Sequence, residues 1–366
     1  IGGRTRKVIM QANKNGFFYV LDRATGEFIS GKPFVSGVTW AKGLDEKTGR
    51  PVEAQSILAS MKPAIVSPNP DGAHNWYPMA FSPETGLVYL PAKVGTHALH
   101  VPDTKWSYDP DKNNVGGDSL YDGPLKAELN ALPSPKGELL AWDPVRQRAA
   151  WHADYPVAEG GGVLVTGGNL VIQGRADGVL AAYRASDGAP LWKFDAGTGI
   201  MAPPVTYQID GIQYVSILAG WGGPTGLSND PSWGPVKPGY GRILTFMLGG
   251  TATLKAPVFG HKNPPAAPDI ALNASPDLVH QGELLFGANC SGCHGTRAVA
   301  GPLPDLRYAS KTTLEGIEGI VLGGSRAYAG MPSFRKILNP DQVHAIQTYI
   351  VSRARESAGV ANRQMR

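Results

Sequence analysis

The sequence predicts an all-β domain of repeated hairpins, stacked as the blades of a propeller, followed by an all-α domain. Three observations carry this. Residues 1 to about 250 alternate short apolar segments with turn residues, whereas the last stretch of about ninety carries apolar residues at helical spacing. One strand–turn–strand unit recurs through the first part. Glycine and proline, at 47 and 31 of 366 residues, supply many turns without reaching the composition of a disordered chain.

The repeated unit opens as strand Phe17–Asp22, turn Arg23–Gly26 and strand Glu27–Ser30. It returns at Glu138–Asp143, with Trp151 in the return strand, and at Val179–Arg184, with the turn Asp187-Gly188 and strand Leu191–Phe194. A partial copy spans Gly86–Pro91. In two copies a tryptophan stands ten residues after an alanine: Ala141 to Trp151 and Ala182 to Trp192. A hairpin that cannot bury its own face must stack on copies of itself, and a propeller does this. A β-sandwich of similar hairpins is the alternative, but it does not require the repeated tryptophan offset.

The proline- and alanine-rich stretch 251–274 sustains neither a ladder nor a helix and reads as a linker, giving domains at 1–250 and 275–366. Ser275-Pro276-Asp277 is a helix start, followed by Leu278, Leu284, Leu285 and Phe286, and that helix is expected to end at the cysteines. A second helix is predicted over Thr312–Leu322. A third starts at Asn339-Pro340-Asp341, with Val343, Ile346, Ile350 and Val351 on one face. Three helices around one apolar slot suit a flat cofactor.

Charge excludes some functions. The 34 basic and 30 acidic residues leave a net +4, too small and too scattered for nucleic acid or an anionic membrane surface. No run of about 18 to 20 apolar residues is present to span a bilayer. The chain starts at Ile1 without a secretion signal, so a leader was removed or the chain is a piece of a longer protein.

The cysteines carry the chemistry. Cys290-Ser291-Gly292-Cys293-His294 is the C-x-x-C-H pattern of covalent haem attachment: two thiols form thioethers to the porphyrin and the adjacent imidazole ligates iron. A zinc site lacks its second cysteine pair, and a redox dithiol lacks a βαβ context. The sixth iron position falls to Met331, in the rigid Gly330–Phe334 loop; Met365, His344 and His280 are the competitors.

With these residues in hand, the chain resembles the C-terminal part of the quinohaemoprotein alcohol dehydrogenases, in which a pyrroloquinoline quinone (PQQ) propeller is fused to a cytochrome c. The telling segments are Met10–Tyr19, His74–Met79, Leu218–Gly223 and the haem motif, in that order. Arg184 and Ser30 depart from the family's pattern, at blade-packing positions. The resemblance implies part of an eight-bladed propeller followed by an all-α, class I-like cytochrome c domain. It implies that Lys14 stabilises charge at the quinone carbonyl, that Asn75 bonds and Trp76 packs against the quinone, and that Trp221, with Gly222, forms a further cofactor edge.

The family's catalytic aspartate, its metal ligands and its adjacent-cysteine disulfide precede the segment matching Ile1. These 366 residues alone are therefore not expected to turn over alcohol. The implied whole is a periplasmic dehydrogenase that oxidises primary alcohols using PQQ and calcium or a lanthanide. Its haem c would pass electrons to a small copper protein or cytochrome. Residues 276–366 hold 10 basic and 7 acidic residues, a balance that favours an acidic acceptor. The short tail after Ile350 favours a soluble single-chain enzyme over membrane-bound multi-subunit relatives. A dehydrogenase for a sugar or another alcohol, which Lys14, Asn75 and Trp76 do not discriminate, and an electron-transfer fusion without a catalytic centre are the alternatives; quinone uptake and dye reduction with ethanol by purified full-length protein test the latter.

Overall fold

The structure is a computed structural model and describes residues 1–364 apart from 55–60, 111–113, 115, 119, 223–236, 238, 256–264, 272–273 and 301–302. Much of the expected linker, and Met365, therefore lie outside the described residues. Contacts divide the chain into two compact units. One joins Ile1–His100, Pro124–Trp221 and Pro231–Phe259; the other joins Val101–Gly123, Gly222–Asp230 and Gly260–Arg366. No described helix is long and apolar enough to cross a membrane.

The first unit is built from antiparallel sheets. Strands β1 (Val8–Ala12), β2 (Phe17–Asp22) and β3 (Phe28–Pro33) form a three-stranded meander. Two small pairs follow, β4 (Ala41–Leu44) with β5 (Pro51–Glu53), and β6 (Ala64–Val66) with the later β9. Strands β7 (Ala80–Ser82) and β8 (Leu87–Val94) begin the next sheet. The chain then passes through β9 (Ala98–His100) and helix α1 (Pro124–Ala131) before β10 (Lys136–Asp143) and β11 (Arg148–Tyr155) complete it in the order β11-β10-β8-β7. Strands β12 (Gly160–Thr166), β13 (Leu170–Arg175), β14 (Val179–Arg184) and β15 (Pro190–Asp195) form a four-stranded meander. The last sheet is β16 (Val205–Ile209), β17 (Ile212–Ala219) and β18 (Arg242–Met247).

The period of two in these strands makes the sheets stack. On β10, Leu139 and Ala141 join Tyr89, Val163 and Val171 in one apolar cluster, while Leu140 and Trp142 join Phe18, Val20 and Leu90 in another. On β13 and β14, Ile172, Leu180 and Ala182 turn to Ile217 and Ala219 of β17. Strands β10, β13 and β14 are thus buried on both faces, and β8 reads as a nearly continuous apolar run. Burying each large apolar side chain contributes about 1.5–3 kcal/mol. This is the blade stacking that the repeats predict.

The repeated tryptophans differ in use. Trp151 donates its Nε1–H to the Ala185 carbonyl at 2.9 Å, and Tyr89 donates its hydroxyl to the same oxygen at 2.8 Å. Its ring lies on the turn before β15, where Gly188 has φ +76° and a Cβ would stand 2.6 Å from the indole. Trp192 instead remains 43% exposed and packs edge-on to Phe246 at 5.2 Å. Its neighbour across the sheets is a strand, not a turn, so the same sequence offset does not give the same docking.

In the second unit, helix α2 (Pro276–Asn289) starts where expected: Ser275 Oγ accepts from the Leu278 N–H at 3.2 Å, with proline in the first turn. Cys290 ends α2, its N–H donating to the Phe286 carbonyl, and begins the single turn α3 (Ser291–His294). The helix predicted over Thr312–Leu322 is two, α4 (Lys311–Glu315) and α5 (Ile317–Val321), parted at Gly316 with φ −87° and ψ 11°. Glycine holds a helix weakly, and the chain turns there. Helix α6 (Pro340–Gln364) is capped by Asn339, whose side chain accepts from the Gln342 N–H at 2.9 Å.

Helices α2 and α6 cross closely: Gly282 faces Ala345, and Phe286 lies 5.3 Å from the Tyr349 ring. Leu285, Phe286, Leu314, Val343, Ile346 and Ile350 centre the core. After α3 the chain places two successive non-glycine residues in the left-handed region, Arg297 at φ 59° and Ala298 at φ 62°. Ala298 is fully buried in the same core, and Arg297 reaches Glu356 of α6 at 3.4 Å.

Candidate functional site: a haem-attachment turn and a cofactor cleft

The haem motif sits at the end of α2, whose buried face fixes its position. Cys290 is half-buried and packs against the helical core; Cys293 is exposed, and both thiols are free. Burial, with Cys293 adding to it, pushes the Cys290 thiol up to about 12. His294, in the same turn, has Nδ1 3.0 Å from the Pro304 carbonyl. That bond makes Nδ1 the donor and leaves the Nε2 lone pair available to a metal, the arrangement by which ligating histidines are oriented. Two free thiols and a pre-oriented imidazole on one turn fit a covalently held haem.

Met331 packs against the same apolar cluster, its N–H donating to the Arg326 carbonyl at 3.2 Å. The competing histidines have other partners. His280 Nε2 lies 2.5 Å from Asp122 Oδ2 and its Nδ1 3.7 Å from Glu283, while His344 is exposed, its Nδ1 3.3 Å from Gln347 Oε1.

In the first unit the structure brings Lys14 and the 69–76 loop together. Lys14 lies in the β1–β2 turn, where Gly16 has φ +91° and its N–H donates to the Asn13 carbonyl at 3.1 Å. The Ala73 N–H donates to the Lys14 carbonyl at 3.0 Å, and Lys14 Nζ donates to the Pro70 carbonyl at 3.2 Å. Gly72, at φ +83°, allows this approach: a Cβ there would lie 2.7 Å from Lys14 Cα. Asn75 ties the loop to itself, donating from Nδ2 to the Asp71 carbonyl at 3.0 Å and accepting at Oδ1 from the Trp76 N–H at 2.8 Å. Trp76 is 58% exposed. Beside Lys14 opens a cavity of about 540 Å³, lined by Asn13, Asn15, Trp40, Pro70 and His100 among others.

Trp221 has a separate set of neighbours. It packs on the cluster holding Tyr155 and Ala176 and lies close to Gly199, where a Cβ would be 2.9 Å from the indole. Its buried Nε1–H finds no acceptor among the described residues. An unmet buried donor costs about 1–3 kcal/mol, so this atom fits a ligand oxygen. A Cβ on Gly222 would meet nothing within 4 Å. The Lys14 ammonium and the unmatched Trp221 indole N–H are each the kind of donor that an anionic, oxygen-rich quinone accepts, while no contact among the described residues joins Trp221 to Lys14 or Asn75.

The sequence reading missed three residues behind the loop. Tyr77 donates its hydroxyl to Glu159 Oε2 at 2.7 Å, and Glu159 pairs directly with Lys93. The available signal was a lysine inside the apolar strand Leu87–Val94. His74, buried beside them, has Nδ1 2.8 Å from the Pro91 carbonyl, and burial holds its imidazole below the ordinary range.

Comparison with known proteins follows the same division. Residues 50–215 match the family described as glucose/ethanol/alcohol dehydrogenase, beta-propeller domain. Residues 277–350 match cytochrome C oxidase, cbb3-type, subunit III. The chain is 43% identical over 360 residues to quinohemoprotein alcohol dehydrogenase ADH IIB of Pseudomonas putida, covering 97% of this chain and 51% of that protein. The solved structure of quinohemoprotein alcohol dehydrogenase ADHIIG from Pseudomonas putida HK5 superposes with TM-score 0.84 at 40% identity, over 100% of this chain and 54% of that one. The Comamonas testosteroni quinohemoprotein alcohol dehydrogenase gives TM-score 0.77 at 38% identity, over 99% and 52%. The chain spans about half the length of the relatives it matches. Blades of a PQQ propeller followed by a cytochrome c domain, it belongs to the quinohemoprotein alcohol dehydrogenase family.

Proposed function

We propose that the chain carries the propeller blades and the cytochrome of a periplasmic enzyme that oxidises primary alcohols to aldehydes. The observation that carries this is the turn Cys290–His294, with its imidazole already held at Nδ1, in a chain whose blades place Lys14 against the loop bearing Asn75 and Trp76. When bound, PQQ supplies a two-electron acceptor for the alcohol's hydride and haem c a one-electron outlet.

Within this reading, the Lys14 ammonium stabilises negative charge developing at a quinone carbonyl, a role that strengthens where water is excluded. The Asn75 amide, fixed by its own loop, orients the quinone oxygens, and Trp76 packs on the ring system. Trp221 donates its Nε1–H, which has no acceptor among the described residues, at the cofactor's edge, beside Gly222. Cys290 and Cys293 anchor the haem, and His294 and Met331 hold its iron, the methionine raising its potential. A calcium or lanthanide ion belongs to the same reading, on ligands outside the positions matched here. Thioether attachment of haem takes place outside the bacterial cytoplasm, which supports the periplasm. The excess of basic over acidic residues in 276–366 supports an acidic copper protein or cytochrome as acceptor.

The test uses full-length protein supplied with PQQ and calcium. It should reduce a dye when given ethanol while its haem absorbance shows reduction. A protein that carries the pigment, takes up no quinone and leaves primary alcohols untouched would refute the proposal.

A further inference from the structure

The Asn75–Trp76 loop rests on a buried charged group that the stacking of sheets does not require. Lys93 comes from β8, and Glu159 immediately precedes β12; their side chains are 7% and 3% exposed and form a direct ion pair. Such a pair is a poor stabiliser, because the attraction scarcely offsets the desolvation of two charges. What it provides is a fixed acceptor. Glu159 Oε2 accepts the Tyr77 hydroxyl at 2.7 Å, and Lys93 Nζ stands 6.0 Å from the centre of the Tyr77 ring.

Tyr77 is 3% exposed, whereas Trp76 is 58% exposed and packs on it at a tilt, with ring centres 4.4 Å apart and planes at 32°. An indole so exposed has no other aromatic neighbour among the described residues to hold its rotamer. The loop backbone is anchored independently. The Lys93 N–H donates to the Ala73 carbonyl at 2.8 Å and the Val163 N–H to the Pro78 carbonyl at 2.9 Å. Loss of the tyrosine hydroxyl would therefore release the rings rather than the chain.

We propose that Tyr77, pinned by Glu159 and Lys93, is a positioning residue that presents the face of Trp76 to the quinone. The inference rests on the reading of Trp76 as a quinone-packing residue. Its function is to fix one face of the cofactor cleft before the cofactor arrives, which lowers the ordering cost of binding.

The test is a double-mutant cycle on full-length protein freed of quinone, with the dissociation constant for PQQ measured by titration in the presence of calcium and the thermal midpoint measured in parallel. Trp76→Ala should weaken PQQ binding. Tyr77→Phe should weaken it about tenfold, and should add little when Trp76 is already alanine. If Tyr77→Phe lowers the thermal midpoint but leaves the dissociation constant unchanged, or if the two effects simply add, the positioning role is overturned while the reading of Trp76 stands. If Trp76→Ala itself leaves PQQ binding unchanged, the reading of Trp76 fails first. Should Tyr77→Phe not fold, Glu159→Gln serves in its place with the same outcomes, since it replaces the tyrosine's charged acceptor, and its ion pair with Lys93, by a neutral amide.

Discussion

Two glycines on α2 should respond to the same substitution with opposite signs. Gly282 is buried against α6, and a Cβ there would lie 2.0 Å from the Ala345 carbonyl oxygen and 2.9 Å from Tyr349 Cβ, so the first contact is about 1.4 Å short of ordinary van der Waals distance. The obstacle is backbone and cannot rotate away; the helices must part. Gly287 is exposed on the same helix with nothing within 4 Å of its Cβ position. Alanine gains about 1 kcal/mol over glycine in a helix interior. Overpacking costs about 1–3 kcal/mol, and a clash with backbone belongs at the upper end.

Gly287→Ala should therefore stabilise the helical unit by up to about 1 kcal/mol. Gly282→Ala should destabilise it by about 1–2 kcal/mol after the propensity gain is subtracted, or roughly 4–15 °C in thermal midpoint for a unit of about 100 residues. Thermal unfolding of full-length protein, followed at the haem absorbance, reads this unit directly. A Gly282→Ala protein as stable as its parent would show that α2 and α6 do not meet as closely as described, and the placement of Cys290 at the end of α2 would lose its support.

Three further outcomes are expected. Met331→Ala should abolish the weak near-infrared sulfur–iron absorption of the oxidised haem; its persistence would give the sixth position to another residue. Trp151→Phe removes the bond to Ala185 while Tyr89 still satisfies that carbonyl, so a loss of about 1 kcal/mol is expected, against about 3–5 kcal/mol for Trp151→Ala; equal losses would contradict this, and denaturant unfolding separates them. Burial holds the Glu138 carboxyl above its ordinary range, opposed by His152 and reinforced by Asp154. The folded state then binds the proton more tightly than the unfolded one, so stability falls as pH rises from the ordinary carboxylate value through the raised one. Glu138→Gln should raise the thermal midpoint at pH 7, with the gain shrinking towards about pH 4; a gain that grows on acidification would reverse the assignment.

The strands were legible because alternation is a local property: Phe17–Asp22 and Val179–Arg184 coincide with observed strands. So was the haem turn, since its chemistry depends on three residues within five positions. The break at Gly316 was not, because apolar spacing continues across it while the backbone turns. The grouping of Val101–Gly123 with the helical residues is a contact over long sequence distance, as in His280 with Asp122, and no local pattern announces it. The acceptor of His294 Nδ1 was equally hidden, being a main-chain oxygen ten residues away. Lys14, Asn75 and Trp76 were singled out by resemblance alone; what the structure adds is the hydrogen bonding that brings the lysine's turn onto the loop.

The left-handed pair Arg297 and Ala298 sets the path of the chain just after the haem turn. Each such residue is disfavoured by about 1–2 kcal/mol, and the chain accepts both in succession. The apolar seat of Ala298 and the reach of Arg297 to Glu356 hold the bend from either side. The main chain leaving the haem turn is thus held by its own side chains, and the Nδ1 bond to the Pro304 carbonyl sets the heading of the His294 ring.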